Sequence, residues 1–115
     1  MKTFIYIGRD KEPGTDLRMQ IRDQHLAHLS PHNEENRIVF GGPLRDESGN
    51  PCGSVIVFHA EDLEAARAIA HADPYLREGV FESVEIFETT VVFAVPIPGK
   101  HGAQRWGLLL EAVSL

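Results

Sequence analysis

Cysteine is nearly missing from this chain: Cys52 is the single one among 115 residues. No intrachain disulfide is possible, a thiolate metal cluster would need several chains, and a reducing cytoplasm is the expected setting. Long apolar runs are also missing. The longest span a few residues, far short of the ~20 needed to cross a bilayer. The opening MKTFIYIG is too short for a signal-peptide core, so no secretory leader is expected. Positive charge is scarce as well. Eleven Lys and Arg against seventeen Asp and Glu leave a net charge of −6, with no basic stripe. A sequence-independent grip on nucleic acid or on an anionic membrane is therefore not expected. The chain has no phosphate loop, dinucleotide fingerprint or G-x-S-x-G elbow. What is present, 43% hydrophobic and 24% charged residues, is the composition of a soluble globular chain and excludes a disordered tail, a collagen repeat or a coiled coil.

Periodicity then gives the order of elements. Residues 2–8 (KTFIYIG) read as a strand. After the turn-forming DKEPG, Thr15 or Asp16 caps a helix expected to run to Leu29 or Ser30 and to stop at Pro31. Leu17, Ile21 and Leu29 form its apolar stripe, with Leu26 beside it. Residues 37–41 (RIVFG) form a second strand, expected to end at Gly42-Pro43. DESGNP is turn chemistry, and residues 54–59 (SVIVFH) are a third strand, giving a hairpin with a long loop. Residues 61–71 form a second helix with Leu63, Ala66, Ile69 and Ala70 inward, and its acidic first turn suits the helix dipole. Asp73-Pro74 opens a short extra turn that Gly79 ends, and residues 80–95 hold a fourth strand. A last short helix is expected over 103–113. The order β-α-β-β-α-β predicts an α+β, ferredoxin-like fold with a four-stranded antiparallel sheet. Residues 1–95 form the domain and 96–115 are a C-terminal extension of it.

Two helices cover one face of such a sheet, yet the strands are apolar on both. Phe4-Ile5-Tyr6-Ile7, Ile38-Val39-Phe40 and Val55-Ile56-Val57-Phe58 show no polar alternation. A bare sheet face would expose several hundred Å² of apolar surface, roughly the most that a soluble monomer carries. The expected cover is a second copy of the chain, its sheet facing the first, rather than the C-terminal extension.

Few residues suit chemistry. His25 lies four residues after Ile21 and four before Leu29, within the apolar stripe or at its edge. It reads either as a core histidine with a hydrogen-bond partner or as a general acid/base. Arg22, nearly on the same face, suits an anionic substrate group or is a solvated charge. Asp73 reads as a helix N-cap ahead of Pro74. A cap uses one carboxylate oxygen and leaves the other free to orient His25. Tyr75 offers a phenol to a ligand or packs its ring. His25, His28 and His32 have a spacing that can make a metal face, but no accompanying carboxylate pattern, so no metal site is assigned. Cys52 reads as a packing residue.

The ordered set R-x-x-H-L at Arg22 to Leu26, G-G-P-L at Gly41 to Leu44, G-S at Gly53-Ser54 and A-D-P-Y at Ala72 to Tyr75, with Gly79-Val80-Phe81 behind, resembles the YCII-related (YciI-like) domain family over roughly residues 1–95. The tail from Pro96 departs from that family's usual short C-terminus. The resemblance implies a dimeric α+β barrel and a site around a His–Asp pair, here His25 and Asp73. Ser54 and the Gly42-Pro43 turn would line the same pocket. It further implies a link, in a few relatives, to aromatic degradation, including dehydrochlorination of a chlorinated hydroxyquinol. The fold is shared with muconolactone isomerases and small cofactor-free monooxygenases, an analogy that carries little weight for function.

The expectation is therefore a homodimeric, cofactor-free lyase or isomerase acting on a small anionic or phenolic molecule. His25 would move a proton, Asp73 would orient it, and Arg22 or Ser54 would hold an oxygen. The alternative is a non-catalytic module of the same fold that binds a small molecule.

Overall fold

A computed structural model describes residues 1–94. The helix expected over 103–113, and the extension that carries it, lie outside the described residues. Strand β1 (Lys2–Asp10) leads to helix α1 (Leu17–Glu34). The hairpin β2 (Ile38–Arg45) and β3 (Pro51–Ala60) follows. Helix α2 (Leu63–His71), the single turn α3 (Pro74–Arg77) and strand β4 (Phe81–Thr89) complete the fold. The sheet order is β2-β3-β1-β4, and every neighbouring pair is antiparallel. This is the expected ferredoxin-like α+β fold.

The period-two alternation of the central strands sorts their side chains. Phe4, Tyr6, Ile56 and Phe58 point to the helical face and are at most 3% exposed. Ala66 and Ala70 of α2 are fully buried against them, and Leu17, Ile21 and Leu29 of α1 pack at the margin. Leu63, expected inward, is 38% exposed because it opens α2 at the molecule's edge. The register pairs Ile5 with Val57 and Phe87, and Ile7 with Val55, on the opposite face. Among the described residues no helix covers that face, and Phe87 is 52% exposed there.

Strand β3 starts three residues earlier than expected, at Pro51, and β4 ends at Thr89 rather than near residue 95. Two further boundaries pass through prolines. Helix α1 passes through Pro31 and ends three residues later. A proline this close to a C-terminus forfeits one helical hydrogen bond, and its carbonyl still accepts from the Glu35 N–H at 3.1 Å. The real stop is Asn36, which takes a left-handed φ of 60° while the Arg37 N–H donates to the His32 carbonyl at 2.9 Å. Strand β2 likewise runs through Gly42 and Pro43, with Pro43 opposite Ser54. An edge strand tolerates a proline because one side of its backbone needs no ladder partner.

Glycine matters at a close approach in the sheet. A Cβ on Gly8 would overlap the Phe81 ring, and one on Gly53 would overlap the Gly8 carbonyl oxygen. Phe81 thus lies over bare backbone. From there its ring meets Tyr6 and Tyr75 edge-on at 6.1 and 5.3 Å. Among the described residues no helix is long and apolar enough to cross a membrane.

Candidate functional site

Helix α1 packs beside α3 but stands away from the β2 edge. The gap is an open cleft of about 740 Å³, walled by α1 on one side and by the β2–β3 hairpin on the other. His25, Arg22, Ser54, Gly42, Pro43 and Tyr75 all line it. Asp73 does not. It lies behind His25, fully buried, at the N-cap of α3.

The carboxylate of Asp73 organises the floor of the cleft. Its Oδ1 accepts from the Tyr75 backbone N–H at 2.9 Å and meets His25 Nδ1 at 2.8 Å. Its Oδ2 accepts from the Tyr6 hydroxyl at 2.9 Å. Cap and imidazole therefore share Oδ1, and the second oxygen, expected free, belongs to Tyr6. Burial pushes the Tyr6 phenol far above its ordinary range, and the nearby Asp73 charge pushes the same way, so Tyr6 remains a donor. With two donors already on it, the Asp73 carboxylate is an acceptor toward His25, which fixes the ring proton on Nδ1. Among the described residues no buried polar side-chain atom lacks a partner, so the remaining nitrogen, Nε2, is open to the cleft.

His25 is 7% exposed and stacks on Tyr75, with ring centroids 3.9 Å apart and planes 7° from parallel. The Tyr75 phenol is raised chiefly by burial, which the Arg18 and Arg22 charges partly offset. Its ring is packed between His25 and Phe81, as one of its expected uses requires, and it also lines the cleft.

Arg18, Asp10 and Tyr6 belong to the site although the sequence reading assigned them no role there. Arg18 makes a two-pronged contact with Asp10, Nε to Oδ2 at 3.0 Å and Nη2 to Oδ1 at 2.9 Å. The same Nη2 donates to Ser54 Oγ at 3.0 Å, and the guanidinium lies 4.8 Å from the Tyr75 ring centre. Burial opposes the Arg18 charge, but the Asp10 carboxylate outweighs it and holds the guanidinium above its ordinary range. Spacing carried the signal. Arg18, Arg22 and His25 fall at i, i+4 and i+7 on one helix face.

The other two histidines turn elsewhere. His28 Nε2 donates to the Ile69 carbonyl at 2.8 Å, tying α1 to α2. His32 lies edge-on to His28 at 6.1 Å. Neither is directed at His25, and Cys52 is half-buried in β3.

The model of the YCII-related domain matches residues 1–90. The chain belongs to that family. The protein YciI of Escherichia coli is 34% identical over 96 residues, which cover 78% of this chain and 98% of that one. An uncharacterized protein of Haemophilus influenzae is 31% identical over the same shares. Among solved structures, the 5-chloro-2-hydroxyhydroquinone dehydrochlorinase TftG of Burkholderia phenoliruptrix, in complex with 2,5-dihydroxybenzoquinone, superposes with a TM-score of 0.66. It is 23% identical, and the match covers 76% of this chain and 93% of that one. This YCII-domain chain and TftG therefore share a fold.

Proposed function

We propose that the protein is a cofactor-free lyase or isomerase that moves a proton on a small anionic or phenolic molecule. The observation that carries this reading is the 2.8 Å contact between His25 Nδ1 and Asp73 Oδ1, with the other ring nitrogen open to the cleft. A base needs a lone pair aimed at substrate and a partner for the cation it becomes. His25 Nε2 supplies the first and buried Asp73 the second.

In the proposed reaction, Nε2 takes a proton from a carbon beside a carbonyl, which for a phenol is the carbonyl of its keto tautomer. The electron pair left on carbon either expels a leaving group from the adjacent carbon, closing a double bond, or moves onto the oxygen. In the isomerisation the imidazolium returns the proton to a different atom. In the elimination it releases the proton to solvent beside the departing anion. Arg22 or Ser54 holds the oxygen on which charge develops. The name of TftG, a dehydrochlorinase, records an elimination carried out on this same fold, which supports the first branch. The assembly that suits this reading is a homodimer that joins two apolar sheet faces.

The test is a thermal-shift screen of small hydroxylated aromatics, quinones and lactones, followed by product analysis on those that stabilise the protein. Replacing His25 with Ala should lower turnover about 100- to 10,000-fold while the protein stays folded. Full activity in that variant overturns the proposal. Stabilisation without product from any compound points instead to a binding module.

A further inference from the structure

The cleft's charge is unlike that of the chain around it. The whole sequence carries a net charge of −6, yet three arginines, Arg18, Arg22 and Arg45, line the cleft and none of its described lining residues is Asp or Glu. The three differ in what they have left to offer. Arg18 is already committed to Asp10 and Ser54. Arg22, on the α1 wall, has no ion pair or hydrogen bond among the described residues. Arg45 stands where β2 enters the hairpin turn, and its one contact there is Nη1 donating to the Gly49 carbonyl at 3.1 Å. That bond uses one of five N–H donors and steadies the side chain on the hairpin wall.

Along with Arg22 and Arg45, the cleft is lined by apolar Leu26, Leu29, Phe40 and Ile56. A ligand that satisfies both features has a flat or compact apolar body and one carboxylate. Guanidinium groups bind phosphate as readily as carboxylate, and it is the apolar lining that favours an acid with a hydrophobic body over an inorganic anion.

We propose that the cleft recognises a small hydrophobic carboxylic acid, whose carboxylate is held by Arg22 and Arg45 while the rest of the molecule lies over the apolar wall toward His25. This rests on the reading of the cleft as a small-molecule site and adds Arg45 as a residue that sets specificity. It does not require His25 to be a base.

The probes are 4-hydroxybenzoate and 4-hydroxybenzyl alcohol, which share a ring and differ in the acid, titrated by NMR into the full-length protein. The wild type should bind the acid about tenfold more tightly than the alcohol, the scale of one charge-assisted contact at a partly exposed site. Arg45→Gln should erase most of that preference and leave alcohol binding unchanged, and Arg45→Lys should restore part of it. Arg45 lies on an exposed hairpin, so these variants fold, which the NMR spectrum itself verifies. His25→Asn should keep the preference, so loss of the catalytic proposal would leave this one standing. Equal binding of the two probes, binding of neither at millimolar concentration, or an undiminished preference in Arg45→Gln overturns the proposal. So does displacement of the acid by equimolar inorganic phosphate.

Discussion

Tyr6 and Asp73, 67 residues apart in the chain, are joined at the floor of the cleft by a 2.9 Å hydrogen bond that neither shares with solvent. Removing the hydroxyl leaves a buried carboxylate oxygen without its donor. Tyr6→Phe should therefore destabilise the fold by about 1–3 kcal/mol. Chemical denaturation checks the loss, and an unchanged midpoint would show that the bond contributes nothing net.

The sheet leaves no room at Gly53. A methyl group there meets the Gly8 carbonyl oxygen, which is backbone and has no rotamer to change. Gly53→Ala should destabilise by about 1–3 kcal/mol or shift the β1–β3 pairing. Its thermal midpoint should fall below that of Gly42→Ala, where nothing stands in the way of the methyl group.

His32 gives stability a pH dependence. Burial lowers its pKa from 6.5, and the neighbouring charges of His28 and Arg37 act the same way, against an opposing pull from Glu35. The unfolded chain therefore binds a proton that the folded chain resists. The contribution is complete above pH 6.5 and is lost as pH falls through the lowered folded value. Denaturation midpoints measured through that window should decline, and His32→Gln should flatten the decline. An equal slope in both proteins would assign the effect to other groups.

The sheet face that carries Ile5, Ile7, Val55, Val57 and Phe87 should pair with its counterpart on a second copy. Light scattering should return twice the mass of the chain at micromolar concentration. Phe87→Lys, which places a charge at a 52% exposed position of that face, should shift the mass toward the monomer. A monomeric wild type would leave the apolar strands to another cover.

The order of elements and the His25–Asp73 pair were legible in the sequence for different reasons. Strand and helix periods are local, and they predicted the type and order of the described elements, with the end of β4 at Thr89 falling well short of the expected residue 95. His25 and Asp73 followed from the ordered motifs that place this chain in its family, not from spacing alone. The misreadings share a cause. Pro31 and Gly42-Pro43 look like stops, but the cost of a proline depends on whether its N–H is needed, which is settled by position near a helix end or on a sheet edge. Leu63 looked inward by period, but a first-turn position at the rim is only half covered. Tyr6, Asp10 and Arg18 were missed because their partners are remote. Tyr6 reads as one more strand aromatic and Asp10 as a turn former until tertiary packing brings Asp73 and Arg18 against them.

The wide separations within the site carry a consequence for synthesis. Asp10 meets Arg18 early, yet His25 must wait for a carboxylate 48 positions later, and Tyr6 for the same group 67 positions on. A nascent chain that has emerged only as far as α2 holds an imidazole and a phenol with no anion between them. Such distant closures come late. The His25–Asp73–Tyr6 cluster thus closes only when the turn at Pro74 docks beneath the first helix.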